Sequence, residues 1–404
     1  MCNIAILSIH SSPLGQPGEG DTGGMSIYIR ELTRELVKLG NSVDIYTRVQ
    51  SPTTPEVIEI APGARQIHIL AGEPADIDKL LVYDTAPDFA CRTESFRKTH
   101  DLKYDMIFSH YWISGIAGQY LQIWWQVPHL VMFHTLGAVK NAIGIGEDEP
   151  DLRIEEERQV ALTCHRIIAS TEKEKVALFR FYDVPPEKVS VIPCGVNFDL
   201  FKPMDKAAAR QKLGLGSDKI ILFVGRIERL KGIDRIIQSL PFLGDVTPRL
   251  IIAGEDGNRP GEAQKLRNLA ENLGVGKSVS FIGRVDYSEL PVYYNAADVC
   301  AFPSFYESFG LVPLESLACG TPVVATDVGD LKNIIIEGQT GYVIAGSHPP
   351  LLADRLGQIL RHQSPELGSQ TAIRGSILRY SWKNIAREIQ SHCSRMVSPR
   401  PALV

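Results

Sequence analysis

The 404 residues hold only seven cysteines, odd in number and scattered, with no Cys-x-x-Cys pair. That excludes a zinc ribbon and argues against a disulfide framework. Cys2, Cys91, Cys164, Cys194, Cys300, Cys319 and Cys393 read instead as reduced thiols of a cytoplasmic protein, several of them in a core. Basic charge is not in excess: 42 Lys and Arg against 47 Asp and Glu leave a formal net charge of -5. No general field attracts nucleic acid, so phosphate binding must come from local cations. No apolar run approaches the ~20 residues a membrane-spanning helix needs. The N-terminus passes from Met1 straight into a strand-like run, without the basic start and small-residue cleavage site of a signal peptide. Low-complexity segments and close internal repeats are also missing.

What is present is length and alternation. At 44% hydrophobic the chain can fill two cores. Continuous apolar runs of strand length recur at residues 3–9, 42–47, 66–70, 104–109, 129–133, 166–169 and 189–192. They recur again at 220–224, 249–253, 278–282, 299–302, 321–325 and 342–344. Helical patterns lie between them, including residues 25–39, 151–164 and 172–181, while residues 48–65 read as a Pro-rich loop. Strand and helix in alternation predict parallel, doubly wound sheets with ligands at the carboxyl ends of the strands. The Pro-Gly-Asn stretch at residues 193–197 marks a domain boundary near residue 197. A final helix is expected over residues 381–396, where Trp382 suits a docking contact.

Chemistry-bearing residues follow several strands. Gly20-Asp21-Thr22-Gly23-Gly24 precedes a helix start, where backbone amides favour an anion. His110-Tyr111-Trp112 and His134-Thr135-Leu136-Gly137 each follow a strand. Gly225-Arg226-Ile-Glu228-Arg229-Leu-Lys231-Gly232 puts Arg226 and Lys231 at a strand end, where two cations can neutralise a departing diphosphate without a metal. Pro303-Ser304-Phe305-Tyr306-Glu307-Ser308-Phe309-Gly310-Leu311-Val312-Pro313-Leu314-Glu315 joins a strand to a helix, with Glu307 on the loop and Glu315 in the helix. Lone residues of these types are usually solvated or structural. Asp76-Ile77-Asp78 resembles a metal-binding Asp-x-Asp but follows no strand end of the right kind, and reads as a surface turn.

Together these motifs resemble the retaining, nucleotide-sugar-dependent glycosyltransferases of the GT-B class. Within it lie the sucrose-phosphate synthases and the inositol-phosphate N-acetylglucosaminyltransferases of mycothiol synthesis, in glycosyltransferase family 4. The second group is the better match, through Gly-Asp-Thr-Gly-Gly-Met, His-Tyr-Trp-Ile-Ser-Gly, His-Thr-Leu-Gly-Ala-Val-Lys-Asn and Pro-Ser-Phe-Tyr-Glu-Ser-Phe-Gly-Leu-Val. The resemblance implies an α/β fold of two doubly wound Rossmann-like domains facing across a cleft. Residues 1–197 would bind the acceptor and residues 198–380 the nucleotide sugar, with residues 381–404 as a helix crossing back to the first domain, followed by a tail.

By the same resemblance Gly23 and Gly24 face the donor, and Arg226 and Lys231 grip its diphosphate. The backbone at Arg284 and Val285 holds the base. Glu307 takes hydroxyls of the transferred sugar, the segment Ser308, Phe309, Gly310, Leu311 and Val312 supplies amides, and Glu315 binds the ribose. His134 lies beside the donor sugar. Ser26, Lys79, Tyr111, Thr135 and Arg153 face the acceptor, and the last four would hold its phosphate. His134, Arg226, Lys231 and Glu307 form the implied catalytic set, with no metal, no cofactor besides the UDP-sugar and no covalent nucleophile. Two positions depart from the pattern: Ser26 stands where Asn is common, and Gly329-Asp330 where Gly-Gly is.

The partners so implied are a nucleotide sugar and a small acceptor. A homodimer is compatible with the sequence. Transfer to fructose 6-phosphate, a nucleotide-sugar epimerase or hydrolase, and a non-catalytic ligand-binding relative are the alternatives. So is a lipid-acceptor enzyme held on membranes through Phe89, Arg92, Phe96, Arg97, Lys98 and Lys103.

Overall fold

The structure is a computed structural model that describes residues 1–15, 23–146, 148–256 and 261–397. Gly20, Asp21 and Thr22 of the glycine-rich loop, and the tail beyond Val397, lie outside the described residues. Two compact units result. One comprises Met1–Ala142, Asp148–Pro193 and Trp382–Val404, and the other Ile143–Glu147 and Cys194–Ser381.

In the first unit the strands are β1 (Asn3–Leu7), β2 (Ser42–Arg48), β3 (Val57–Ala61), β4 (Ala64–Ile69), β5 (Met106–His110), β6 (His129–Met132), β7 (Arg166–Ala169) and β8 (Val189–Val191). They lie in the order β3-β4-β2-β1-β5-β6-β7-β8. All neighbours pair in parallel except β3 on β4. The second sheet contains β9 (Ile220–Val224), β10 (Arg249–Ala253), β11 (Val279–Gly283), β12 (Val299–Phe302), β13 (Val323–Thr326) and β14 (Gly341–Ile344). Its order is β11-β10-β9-β12-β13-β14, which numbered within the unit is the Rossmann order 3-2-1-4-5-6. Central strands such as β5, β6, β9, β12 and β13 are buried at every residue. Burial on both faces is why they read as unbroken apolar runs.

The chain reverses its direction of growth at β1/β5 in one sheet and at β9/β12 in the other, and a crevice opens beyond the strand ends at such a switch point. His10 and Tyr111 follow the first pair of strands, and Gly225 and Pro303 the second.

Two expectations need correction. The Pro-rich stretch is not all loop: Val57–Ala61 forms β3, an antiparallel edge strand with an exposed and half-exposed alternation. Such an edge lacks the long apolar run that marks a central strand. The aromatic residues offered for membrane contact are not on the surface either. Phe89 and Phe96 sit inside the helix Ala86–Thr99 in the core of the unit, with Arg92 paired to Asp88, and Arg97 and Lys98 to Glu94. No helix among the described residues is long and apolar enough to cross a membrane. Asp78, read as part of a turn, caps the helix Lys79–Asp84 by accepting from the Leu80 amide at 2.8 Å. All seven cysteines are free thiols, six of them buried and Cys91 exposed.

The helix Trp382–Val397 belongs to the first unit and packs on the helix Gly24–Lys38. Ile385, Ile389 and Cys393 recur every fourth residue and are almost fully buried, which is the core-facing row of an amphipathic helix. Trp382 meets Tyr28 edge-on, with ring centroids 5.2 Å apart. Burying each large apolar side chain in that row contributes about 1.5–3 kcal/mol.

Candidate active site

Each unit carries one constellation of polar side chains at its switch point. In the first unit, β5 ends in His110 and β6 is followed by His134. Tyr111 and His134 have φ of 74° and 62°, and these left-handed conformations are uncommon for residues with a Cβ. Such conformations persist where surrounding contacts enforce them, and they gather at ligand sites. The two imidazoles are joined, His110 Nδ1 to His134 Nε2, at 2.8 Å. His10, just after β1, lies against the Tyr111 ring at 4.4 Å. Burial lowers His10 to about 3, aided by the charges of Lys79 and Arg153, and burial lowers His134 to about 3 as well. Both rings are therefore neutral at pH 7 and offer hydrogen bonds rather than charge.

The four positions named for an acceptor phosphate lie close together. Arg153, buried in the helix Asp151–Thr163, donates from Nη2 to Thr135 Oγ1 at 3.0 Å, and its guanidinium carbon stands 5.1 Å from the Tyr111 ring centroid. Lys79 and Arg153 both act electrostatically on His10 and on Tyr111. Arg153 is itself oriented: Nε donates to Glu157 Oε1 at 2.7 Å, and Nη1 pairs with Glu149 Oε2 at 2.8 Å. Glu157, with a fully buried side chain, also accepts from the Gly137 amide at 2.9 Å and from the Tyr182 hydroxyl. Ser26 is buried too, its hydroxyl 2.9 Å from that of Ser11. Gly23 and Gly24 open the same helix.

In the second unit the loops after β9 and β12 are joined. The Phe305 amide donates to the Leu230 carbonyl at 2.8 Å, and Lys231 Nζ pairs with Glu307 Oε1, which also accepts from Ser304 Oγ at 3.2 Å. Gly232, with φ of 66°, lets the loops approach, since a Cβ there would stand 2.3 Å from the Pro303 carbonyl oxygen. Arg226 is exposed and reaches Glu228 at 3.5 Å. Gly310 precedes the helix Leu311–Ala318, and the neighbouring Ser308, Leu311 and Val312 are half-buried. Phe309, by contrast, turns inward against Tyr380.

Glu315 does not share a partner with Glu307. It is 4% exposed and accepts from the Tyr294 hydroxyl at 2.9 Å. Burial raises it to about 7, opposed by hydrogen bonds from Tyr294 and Tyr287. Beyond β11, Arg284 is exposed and Val285 half-buried, with the Arg284 amide 3.4 Å from Glu255 Oε1. Asp330, next to Gly329, donates its amide to the Phe309 carbonyl at 3.2 Å. Among the described residues no three His, Cys, Asp or Glu side chains converge as a cation's ligand set would.

Sequence reasoning passed over His10, Glu149, Glu157 and Tyr294. His10 had a legible signal, since it directly follows a strand. The other three act through tertiary contacts.

Comparison with known proteins shows the family. Residues 22–200 match the glycosyltransferase family 4 model, and residues 205–374 the glycosyl transferases group 1 model. The chain is 38% identical to D-inositol 3-phosphate glycosyltransferase 2 of Catenulispora acidiphila, over 99% of this chain and 96% of that one. It is 38% identical to the D-inositol 3-phosphate glycosyltransferase of Corynebacterium urealyticum, over 96% and 94%. The structure of sucrose-phosphate synthase from Thermosynechococcus elongatus is similar with a TM-score of 0.88 and 30% identity, over 98% of this chain and 99% of that one. The protein is therefore a GT-B hexosyltransferase, and it belongs to the glycosyltransferase family that contains the D-inositol 3-phosphate glycosyltransferases.

Proposed function

We propose that the protein transfers a sugar, N-acetylglucosamine or glucose, from a UDP-sugar to a small phosphorylated acceptor such as inositol phosphate, with retention of anomeric configuration. The observation that carries this reading is the cluster of Lys79, Tyr111, Thr135 and Arg153 in the first unit. Two cations and two hydroxyls there match the donor set a phosphate needs.

The donor falls to the second unit. Lys231 and Arg226 would take the diphosphate oxygens, and Glu307, released from Lys231, would accept hydrogen bonds from the sugar. The loop amides around Ser308 to Val312 add fixed partial positive charge where negative charge grows. Glu315 would accept from the ribose hydroxyls, Gly23 and Gly24 would let backbone approach the donor, and backbone at Arg284 and Val285 would hold the base. Neutral His134 offers a hydrogen bond to the donor sugar. The incoming hydroxyl attacks the anomeric carbon from the face the diphosphate leaves. Its proton passes to a leaving phosphate oxygen, the new glycosidic bond forms, and UDP departs. This scheme uses neither a metal nor an enzyme nucleophile.

The test is a matrix of UDP-, GDP- and ADP-sugars against inositol phosphate, unphosphorylated inositol and fructose 6-phosphate, read as nucleotide release, with the product anomer assigned by proton NMR. UDP release that requires a phosphorylated acceptor, with a retained anomer, is expected. Release with unphosphorylated inositol at the same rate would overturn the acceptor assignment. The 30% identity to a sucrose-phosphate synthase over nearly the whole chain supports fructose 6-phosphate as the second reading. Product with that acceptor alone would select it.

A further inference from the structure

We infer that Glu149 is an internal anion that competes with the acceptor's phosphate for Arg153 and thereby sets the charge an acceptor must carry. The inference rests on the acceptor reading given above. Arg153 Nε is committed to buried Glu157, and Nη2 to Thr135, so the Nη1 edge is where an incoming anion can gain most. Glu149 Oε2 occupies that edge at 2.8 Å, while its other oxygen takes Lys140. Lys140 and Arg153 both pair with Glu149, and Arg153 also with Glu157, so the two cations are already matched by two carboxylates, while Lys79 acts on the same Tyr111 that Arg153 and Glu149 influence. A phosphate dianion brings two charges and can displace one carboxylate. A carboxylate or an unphosphorylated hydroxyl offers no such exchange.

The side chain of Glu149 can be altered without unfolding its loop. Its backbone is held separately by Asn141, whose Oδ1 accepts from the Glu149 amide at 2.6 Å and whose Nδ2 donates to the Glu149 carbonyl at 3.0 Å. The carboxylate is therefore not what fixes the segment in place. Its contacts are with two cations, one of them among the four proposed phosphate ligands.

Calorimetric titration of the full-length protein with inorganic phosphate tests the inference on wild type, Glu149→Gln, Arg153→Met and Lys79→Met. Glu149→Gln is expected to bind phosphate about tenfold more tightly, the equivalent of ~1.4 kcal/mol. It should also lower the KM for inositol phosphate with kcat little changed. Arg153→Met and Lys79→Met should both weaken phosphate binding. If they do and Glu149→Gln binds no tighter than wild type, the competition is refuted and the acceptor site stands. If neither cation variant alters phosphate binding, or no variant binds phosphate at all, the acceptor reading falls and the inference with it. Lys79→Met serves as the cation variant should Arg153→Met fail to fold.

Discussion

Replacing Gly232 with Ala tests whether the two loops of the second unit are held in register by backbone contact. The φ of 66° costs a residue with a Cβ about 1–2 kcal/mol. The new Cβ would lie 2.3 Å from the carbonyl oxygen of Pro303 and 3.1 Å from its carbon, atoms that no side-chain rotation can move. Restoring an ordinary contact needs a separation larger by roughly 1 Å, close enough to the Phe305–Leu230 hydrogen bond to cost most of it, about 1 kcal/mol. The sum, about 2–3 kcal/mol, lowers Tm by roughly 4–12 °C for a unit of this size. Because the same shift moves Lys231 and Glu307, both placed on the donor, out of position, kcat should fall by about 10²-fold. Scanning calorimetry and UDP release measure the two effects. Gly214→Ala is the control. It has φ of 63° with no atom within 4 Å of the added Cβ, so it carries the conformational cost alone. A Gly232→Ala protein no less stable than Gly214→Ala, with normal turnover, would refute the reasoning.

Lys231→Ala should cut kcat by about 10²–10³-fold with the fold intact by circular dichroism; normal sugar transfer would remove Lys231 from the diphosphate site. Acidification should weaken the protein. Seven imidazoles (His10, His68, His110, His129, His134, His165 and His392) are held below their usual value, so the unfolded chain binds more protons as pH falls below 6.5. Four carboxyls (Glu157, Glu174, Glu315 and Glu388) are raised by burial and act in the opposite sense, favouring the folded state as pH falls, Glu315 from about 7 downward. From pH 7.5 to 5.5 each of His10, His129 and His134, all near 3, removes about 1.4 kcal/mol, and Glu315, near 7, returns about 2. The urea midpoint should therefore be lower at pH 5.5, and a midpoint that rose would contradict the assignment of buried neutral histidines. Trp382→Ala should cost the first unit about 3–5 kcal/mol by removing a buried indole; an unchanged denaturation midpoint would mean that the final helix contributes little.

How far the sequence could be read depended on burial. Strands β7, β9, β10 and β12 were legible to the residue, because both faces are covered and the apolar run ends where the strand does. Strand β3 was not. Val57-Ile-Glu-Ile-Ala lies at a sheet edge, half wet, and its sequence is too short and polar to stand out. At the candidate site, the rule that ligands gather beyond strand ends pointed to His110, which ends β5, and to His134, Arg226 and Lys231, which lie on the loops after β6 and β9. The pairings were not legible, since Lys231 and Glu307 are 76 residues apart and Arg153 and Thr135 are 18 apart. No spacing rule encodes contacts that arise only when two loops of one sheet meet. Glu315 shows the same limit: its place in a helix was readable, but its burial under Tyr294 was not.

The return of the last helix to the first unit bears on how the molecule is made. Residues 1–193 leave the ribosome well before residues 382–397, which supply the buried row Ile385, Ile389 and Cys393. Until then the helix Gly24–Lys38 has an uncovered apolar face, while the second unit, continuous from Cys194 to Ser381 apart from a short segment already synthesised, can finish first. The order of completion during synthesis is thus the reverse of the order of the chain. A nascent protein stalled short of residue 382 would present that bare face to chaperones and proteases.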